Sequence, residues 1–193
     1  MSLRLRLPQV SDEAEVLAAQ DELGAEGFVF AFLQQGQSFG EFVQMVEDSR
    51  RGRSLDHGWV ESTWLLADVD SDVVGRSSIR FELNDSLLIE GGHIGYAVRP
   101  NYRRRGHASE ILRQSLVVAR SGGVDRVLVT CDDSNLGSRR VIEANGGVLE
   151  NIAEVNNPGK TAAAVIHGDV QSADARFEIG RENGYRAILK RPY

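Results

Sequence analysis

His93-Ile94-Gly95-Tyr96-Ala97-Val98-Arg99-Pro100-Asn101-Tyr102-Arg103-Arg104-Arg105-Gly106-His107-Ala108-Ser109-Glu110 reads as a strand, a tight basic turn and the first turn of a helix. The helix continues with Ala108, Ile111, Leu112, Leu116 and Ala119 on one face and Arg113, Gln114 and Arg120 off it, until Gly122-Gly123 stops it. Backbone N–H groups in a first helical turn have no partner within the helix, and with the helix dipole they make an anion site of a size that suits a pyrophosphate. Gly106 lets a ligand approach the backbone closely, Ala108 is small, and Arg103, Arg104 and Arg105 add positive charge where a phosphate would sit. The plainer reading is a solvated arginine cluster. Its position between a strand and a small-residue helix start favours the anion site.

Outward from this stretch the pattern is that of an α/β domain. Leu3, Leu5 and Leu7 alternate with Arg4 and Arg6 as in a half-buried strand, and Pro8 ends the run. Ser11 is placed to cap a helix running to about Leu23, with Asp12 and Glu13 in its first turn. Phe28, Phe30 and Phe32 alternate within 24–36, which fits either a strand or an irregular loop whose aromatic side chains line something. A second helix is expected over 38–51, with Phe39, Phe42, Val43 and Val46 on one face. Three strands are expected over 63–68, 73–83 and 93–98, as an antiparallel meander. Another follows at Val127-Leu128-Val129, and the order strand, helix, strand implies a parallel crossover there. A short helix over 135–145 and a strand over 148–155 come next. The pattern weakens across 156–181 before a last strand at 185–190.

Composition narrows the function classes. The 193 residues are 41% hydrophobic and 26% charged, which suits one folded domain, and no linker is visible. No apolar run approaches the roughly 20 residues needed to span a bilayer, so a cytoplasmic protein with no membrane partner is expected. One cysteine, Cys131, excludes an internal disulfide framework and leaves no cysteine cluster for zinc; no metal is expected. A net charge of -6 argues against a nucleic-acid partner except where basic residues concentrate, and they concentrate at 103–105.

Arg103-x-x-Gly106-x-Ala108 resembles the acyl-CoA pyrophosphate loop of the GNAT superfamily of N-acetyltransferases, whose pattern is Gln or Arg, two residues, Gly, one residue, then Gly or Ala. Ile94-Gly95-Tyr96 to Pro100 is similar to that family's fourth strand. Asn135, Ser138 and Gly146 fall at the spacing of its second cofactor element, and Arg6 to Asp12 is similar to its usual start. The resemblance runs over about 3–155. It is strongest to a bacterial subgroup of acetyltransferases with the strings Glu82-Leu83-Asn84-Asp85, Gly91-Gly92-His93-Ile94-Gly95-Tyr96 and Glu143-Ala144-Asn145-Gly146-Gly147.

The resemblance implies an α/β (α+β) fold with a mixed, mostly antiparallel sheet of six to seven strands. About four helices flank it, and strands four and five are parallel and splayed. The whole chain would then be a single domain, with 156–181 an atypical insertion or loop before the last strand. Acetyl-CoA is the implied cosubstrate, its pantetheine lying along Tyr96, Ala97 and Val98. Its diphosphate would be held around Arg104, Arg105, Gly106, His107, Ala108 and Ser109, with Arg103 opening the loop. Asn135 and Ser138 would approach from the other side. The implied partner is a small-molecule or peptide amine, and a homodimer is the default assembly.

Attack on a thioester requires a neutral amine. At pH 7 deprotonation costs about 4 to 5 kcal/mol for a lysine-like amine and about 1.4 kcal/mol for an α-amine of pKa near 8. His93 stands nearest to the position where family members often place a glutamate base, and its chemistry suits the task. The plainer reading is a histidine that packs or hydrogen-bonds at a strand start. Glu82 is the next candidate. The family's tyrosine acid, seven residues after the asparagine, is replaced by Ile142. A thiol of pKa near 8.5 can leave without full protonation, and Tyr96 is the candidate replacement if its ring faces the thioester. Cys131 reads as a buried thiol, not a nucleophile. Two alternatives stand beside the transferase: a catalytically silent acyl-CoA binding or sensing module, motivated by Ile142, and a nucleotide-phosphate binding protein, which lacks a lysine-containing phosphate loop.

Overall fold

The computed structural model describes residues 3–53, 58–154 and 161–167. In chain order its elements are β1 (Arg4–Arg6), α1 (Glu13–Gly24), α2 (Phe39–Arg50), β2 (Ser62–Val69), β3 (Asp72–Arg80), α3 (Asp85–Ile89), β4 (Ile94–Val98), α4 (His107–Ser121), β5 (Val127–Asp132), α5 (Leu136–Ala144), β6 (Gly147–Glu154) and β7 (Thr161–His167). Short 3₁₀ turns precede α1 and α4, at Val10–Asp12 and Pro100–Tyr102. The strands form two sheets, ordered β1-β2-β3-β4 and β5-β7-β6.

Contacts divide the chain into two compact units, Met1–Ser78 with Tyr96–Gln114, and Ile79–Gly95 with Ser115–Tyr193. The chain passes between them three times, inside β3, β4 and α4.

In the first unit β1 pairs antiparallel with β2, Arg4 opposite Asp68 and Arg6 opposite Leu66. Asp70 and Ser71 join β2 to β3 with φ of 52° and 77°, the two left-handed positions of a tight hairpin turn. β2 and β3 are buried along almost their whole length because both faces are covered. On one face Trp64, Leu66, Val73 and Ala97 pack with α1 (Val16, Ala19, Leu23) and α2 (Phe39, Phe42, Val46). On the other, Leu3, Ala67, Val74 and Val98 pack with Ile111 of α4. Burying a side chain such as Phe42 contributes about 2 to 3 kcal/mol.

Local signals explain where the helices begin. Ser38 caps α2 reciprocally: the Glu41 N–H donates to its Oγ at 3.3 Å, and Glu41 Oε2 accepts the Ser38 N–H at 2.8 Å. The expected cap Ser11 is exposed. No side chain caps α1; Asp12 closes the 3₁₀ turn before it, accepting the Gln9 N–H at 2.7 Å while Arg6 forks onto its carboxylate at 2.7 and 2.8 Å. The ambiguous 28–36 segment is a loop, pinned where Gln20 Oε1 of α1 accepts the N–H groups of Phe30 and Ala31 at 2.8 and 2.9 Å.

In the second unit β7 lies between β5 and β6 and pairs antiparallel with both, Thr130 opposite Ala164 and Ile152 opposite Ala163. Two expectations change here. β3 ends at Arg80, not residue 83, and the short helix α3 follows. The stretch 156–181, expected to be irregular, contains the central strand of the second sheet. The expected splay of β4 from β5 is seen as the break between the two sheets, with His93, just before β4, bonded to the Leu128 carbonyl. The strand expected at 185–190 lies outside the described residues. No helix among the described residues is long and apolar enough to cross a membrane.

Candidate active site

The basic turn is shaped by backbone, not by arginine side chains alone. Arg103 is extended (φ −68°, ψ 162°), and Arg104 and Gly106 then adopt φ of +63° and +82°. The first α-helical bond of α4 runs from the Glu110 N–H to the Gly106 carbonyl at 3.2 Å. The N–H groups of His107 and Ala108 lie ahead of that bond, at the end of the helix where the dipole is positive. Left-handed residues just before a helix start turn successive N–H groups toward one concavity. A Cβ built on Gly106 would meet nothing within 4 Å, so the space over the loop is open. Arg104 and Arg105 are exposed beside it, and the Arg105 guanidinium lies 5.8 Å from the Tyr102 ring centroid. His107 and Ser109 are half-buried, and Ala108 packs on the cluster around Ile111. These residues fit a diphosphate.

Arg103 is placed differently from the expectation. Its guanidinium pairs with both carboxylate oxygens of Glu26 at 2.9 and 2.6 Å, and its Nε donates to the Val98 carbonyl at 3.1 Å. Arg103 holds Glu26 below the usual carboxylate range. Its charge is thus already partnered, and it braces the turn against β4 and the end of α1. Arg99 does the same one turn earlier, reaching Glu15 at 2.5 Å and Glu22 at 2.9 and 2.6 Å, and donating to the Val73 carbonyl. None of these three acidic partners is signalled by the sequence: Glu26 lies 77 residues from Arg103, and Glu15 and Glu22 lie 84 and 77 from Arg99.

On β4, Tyr96 packs with Val98 and Ile111, while Ala97 faces the α1 and α2 side. A Cβ on Gly75 would overlap the Ala97 carbonyl oxygen, so β3 presses closely on this part of β4.

The other candidates lie in the second unit. His93 is half-buried; its N–H donates to the Leu128 carbonyl at 2.7 Å, and its Nδ1 accepts the Leu128 N–H at 2.9 Å. Burial, and then the charge of Arg80, pull its pKa down to about 4. At neutral pH the ring is uncharged with its proton on Nε2, so neither nitrogen has a lone pair for an amine proton. The base reading of His93 therefore gives way to the structural one. His93 also lines a pocket of ≈ 360 Å³ with Phe81, Leu83, Leu88, Val124 and Leu128. Glu82 is exposed in the turn after β3. Asn135 caps α5, its Oδ1 accepting the Ser138 N–H at 3.0 Å. Ile142 is fully buried, so the position that carries the family's tyrosine faces the core. Burial raises the Cys131 pKa, with a Ser138 hydrogen bond opposing it, which leaves the thiol protonated and unreactive.

Residues 2–148 match the acetyltransferase (GNAT) domain model. Among curated proteins, the uncharacterised N-acetyltransferase YjdG of Bacillus subtilis is 28% identical over 89 residues, 45% of this chain; the match spans about half of that relative, 51%. Among solved structures, Mycobacterium smegmatis RimJ in complex with CoA-disulfide superposes with a TM-score of 0.63 at 18% identity, covering 85% of this chain and 80% of that one. The microcin C7 self-immunity acetyltransferase MccE, in complex with acetyl-CoA and AMP, gives 0.60 at 15% identity, covering 85% and 90%. With the glycine loop, the strand before it and the helix after it all in place, the chain belongs to the GNAT acetyltransferase family.

Proposed function

We propose that this chain transfers the acetyl group of acetyl-CoA to a primary amine of a small molecule or peptide, by direct attack in a ternary complex. The observation that carries the reading is the left-handed pair Arg104 and Gly106 opening onto the first turn of α4. Backbone N–H groups of 105–109, with the Arg104 and Arg105 side chains, hold the diphosphate, and Tyr96 to Val98 carry the pantetheine arm. A donor from the backbone near Ala97 or Val98 stabilises the oxyanion as the amine nitrogen bonds to the acetyl carbon. The C–S bond then breaks, the thiolate leaves, and the amine proton passes to solvent or to an exposed carboxylate, for which Glu82 is the candidate. With His93 committed to Leu128, weakly basic amines are the better substrates, since their deprotonation costs least.

Calorimetric titration with acetyl-CoA tests the loop. Gly106→Glu places a carboxylate in open space above it, and is expected to weaken binding at least about 100-fold without unfolding the chain. Unchanged affinity would remove the assignment. The buried Ile142 favours one second reading, a silent acyl-CoA sensor. Thiol release across a panel of amino acids, polyamines, aminoglycosides and peptides separates the two, because a sensor binds CoA and turns over none of them.

A further inference from the structure

Where β3 gives way to α3 the second unit is not filled. Phe81, Leu83 and Leu88 line a cavity of ≈ 360 Å³ together with Val124, Leu128 and His93. Protein interiors pack as densely as organic crystals, and pockets for small molecules begin at about 300 Å³. The walls of this one are held. Asn84 caps α3, its Oδ1 accepting the Leu87 N–H at 3.0 Å; the Gly92 N–H returns to the Leu87 carbonyl at 2.9 Å, and the Gly91 N–H donates to Thr130 Oγ1 of β5 at 2.9 Å. Phe81 presses on Gly122, where a Cβ would fall 2.3 Å from its ring. Phe81, Leu83, Leu88 and His93 are each half-buried, so the cavity opens to solvent.

Two polar groups beside it lack a natural partner. The His93 ring gives Nδ1 to the Leu128 N–H, so its proton sits on Nε2, and nothing among the described residues accepts that proton. Arg80 is half-buried, and its N–H bonds the His93 carbonyl at 2.8 Å. Its Nη1 donates to the carbonyls of Gly91 and Gly92 at 3.4 and 3.1 Å, and no carboxylate among the described residues meets it. Its charge reaches the His93 ring, where with burial it disfavours protonation. The carboxylates nearest in sequence, Glu82, Asp85 and Glu90, are exposed, and the two exposed residues that complete the lining, Asp125 and Arg126, carry opposite charges.

We propose that this cavity binds a small apolar carboxylic acid, its ring or chain among Phe81, Leu83 and Leu88 and its carboxylate accepting the His93 Nε2–H within the field of Arg80. An apolar cavity of about 150 Å³ admits one benzene, so this one suits a single ring with a short acid arm, about ten heavy atoms. A carboxylate supplies both the acceptor that Nε2 lacks and the counter-charge that Arg80 lacks. An alcohol supplies the first only, and an ammonium supplies neither. The cavity shares no residue with the 103–109 loop, so the inference stands apart from the transferase reading.

Calorimetric titration of the whole chain with 3-phenylpropionate, 3-phenylpropan-1-ol and 3-phenylpropan-1-amine tests this, because the three share a body and differ in the head group. The acid is expected to bind at least about tenfold more tightly than the alcohol, with the amine weakest. In protein labelled with ¹⁵N-histidine, 3-phenylpropionate should move the Nε2 resonance of His93, identified by its loss in His93→Asn, with acetyl-CoA present or absent alike. Leu88→Trp, which fills the cavity from α3, should abolish binding of the acid. Should that variant fail to fold by circular dichroism, the labelled wild-type protein still decides the matter. Equal binding of acid and alcohol, preference for the amine, no binding of any of the three at millimolar concentration, or acid binding that leaves the His93 signal unmoved overturns the inference.

Discussion

The Nδ1 of His93 accepts the Leu128 N–H while the backbone of the same residue bonds the Leu128 carbonyl, so a single residue closes a two-bond link to β5. That link requires the neutral ring. As pH falls below about 6.5 the unfolded chain takes up a proton on His93, whereas the folded chain does so only near 4. Stability from this residue is therefore complete above pH 6.5 and is lost on acidification toward pH 4, by at most about 3 kcal/mol. His93→Asn keeps an acceptor oxygen near the Nδ1 position and removes the titration. Urea unfolding at several pH values should show a slope between pH 6.5 and 4 in the wild type and a flatter one in the variant; identical slopes would refute the link. Sequence showed that a histidine stood at the head of β4, but which ring nitrogen was occupied depends on Leu128, 35 residues away. The partner of Arg103 is hidden for the same reason. The loop pattern marks it as cationic, and only the fold brings Glu26 to it.

At the scale of elements, the legible parts were those whose own residues determine them. α2 and α4 carry an apolar stripe, a start signal and a stop, and the turn between β4 and α4 needs Gly106 where φ is positive. α3 has five residues, too few for a helical period to show, and Phe81-Glu82-Leu83 before it alternates like a continuing strand. β7 reads Thr-Ala-Ala-Ala-Val-Ile-His, and alanine is a poor strand former, so its place rests on pairing with β5 and β6. The β3–β4 approach yields a direct expectation. Gly75→Ala drives a Cβ into the Ala97 carbonyl and should destabilise the fold by about 1 to 3 kcal/mol, seen as a lower urea midpoint. A variant as stable as the wild type would mean that the strands separate freely there.

For the molecule as a whole, the net charge of -6 and the local cluster at 103–105 have to be held together. Much of the positive charge is already matched: Arg4 and Arg6 to Asp68, Arg6 to Asp12, Arg99 to Glu15 and Glu22, and Arg103 to Glu26. Arg104 and Arg105 stay at the surface beside the open loop, so the exception to an acidic surface is smaller than three arginines suggest. The second sheet has its own consequence. The family match ends at residue 148, yet β7, the strand that joins β5 to β6, comes later. A chain ending at residue 154 should therefore lose its cooperative unfolding transition by circular dichroism. A sharp transition in that shortened chain would show that β7 is dispensable.

The three crossings between the compact units fall inside β3, β4 and α4. In the gene, the codons for one unit are interleaved with those for the other. A single recombination breakpoint therefore cannot exchange the 103–109 loop and its unit without also splitting a strand or helix between two parents. Change within either unit has to accumulate by substitution, because inheritance cannot shuffle the two as separate modules.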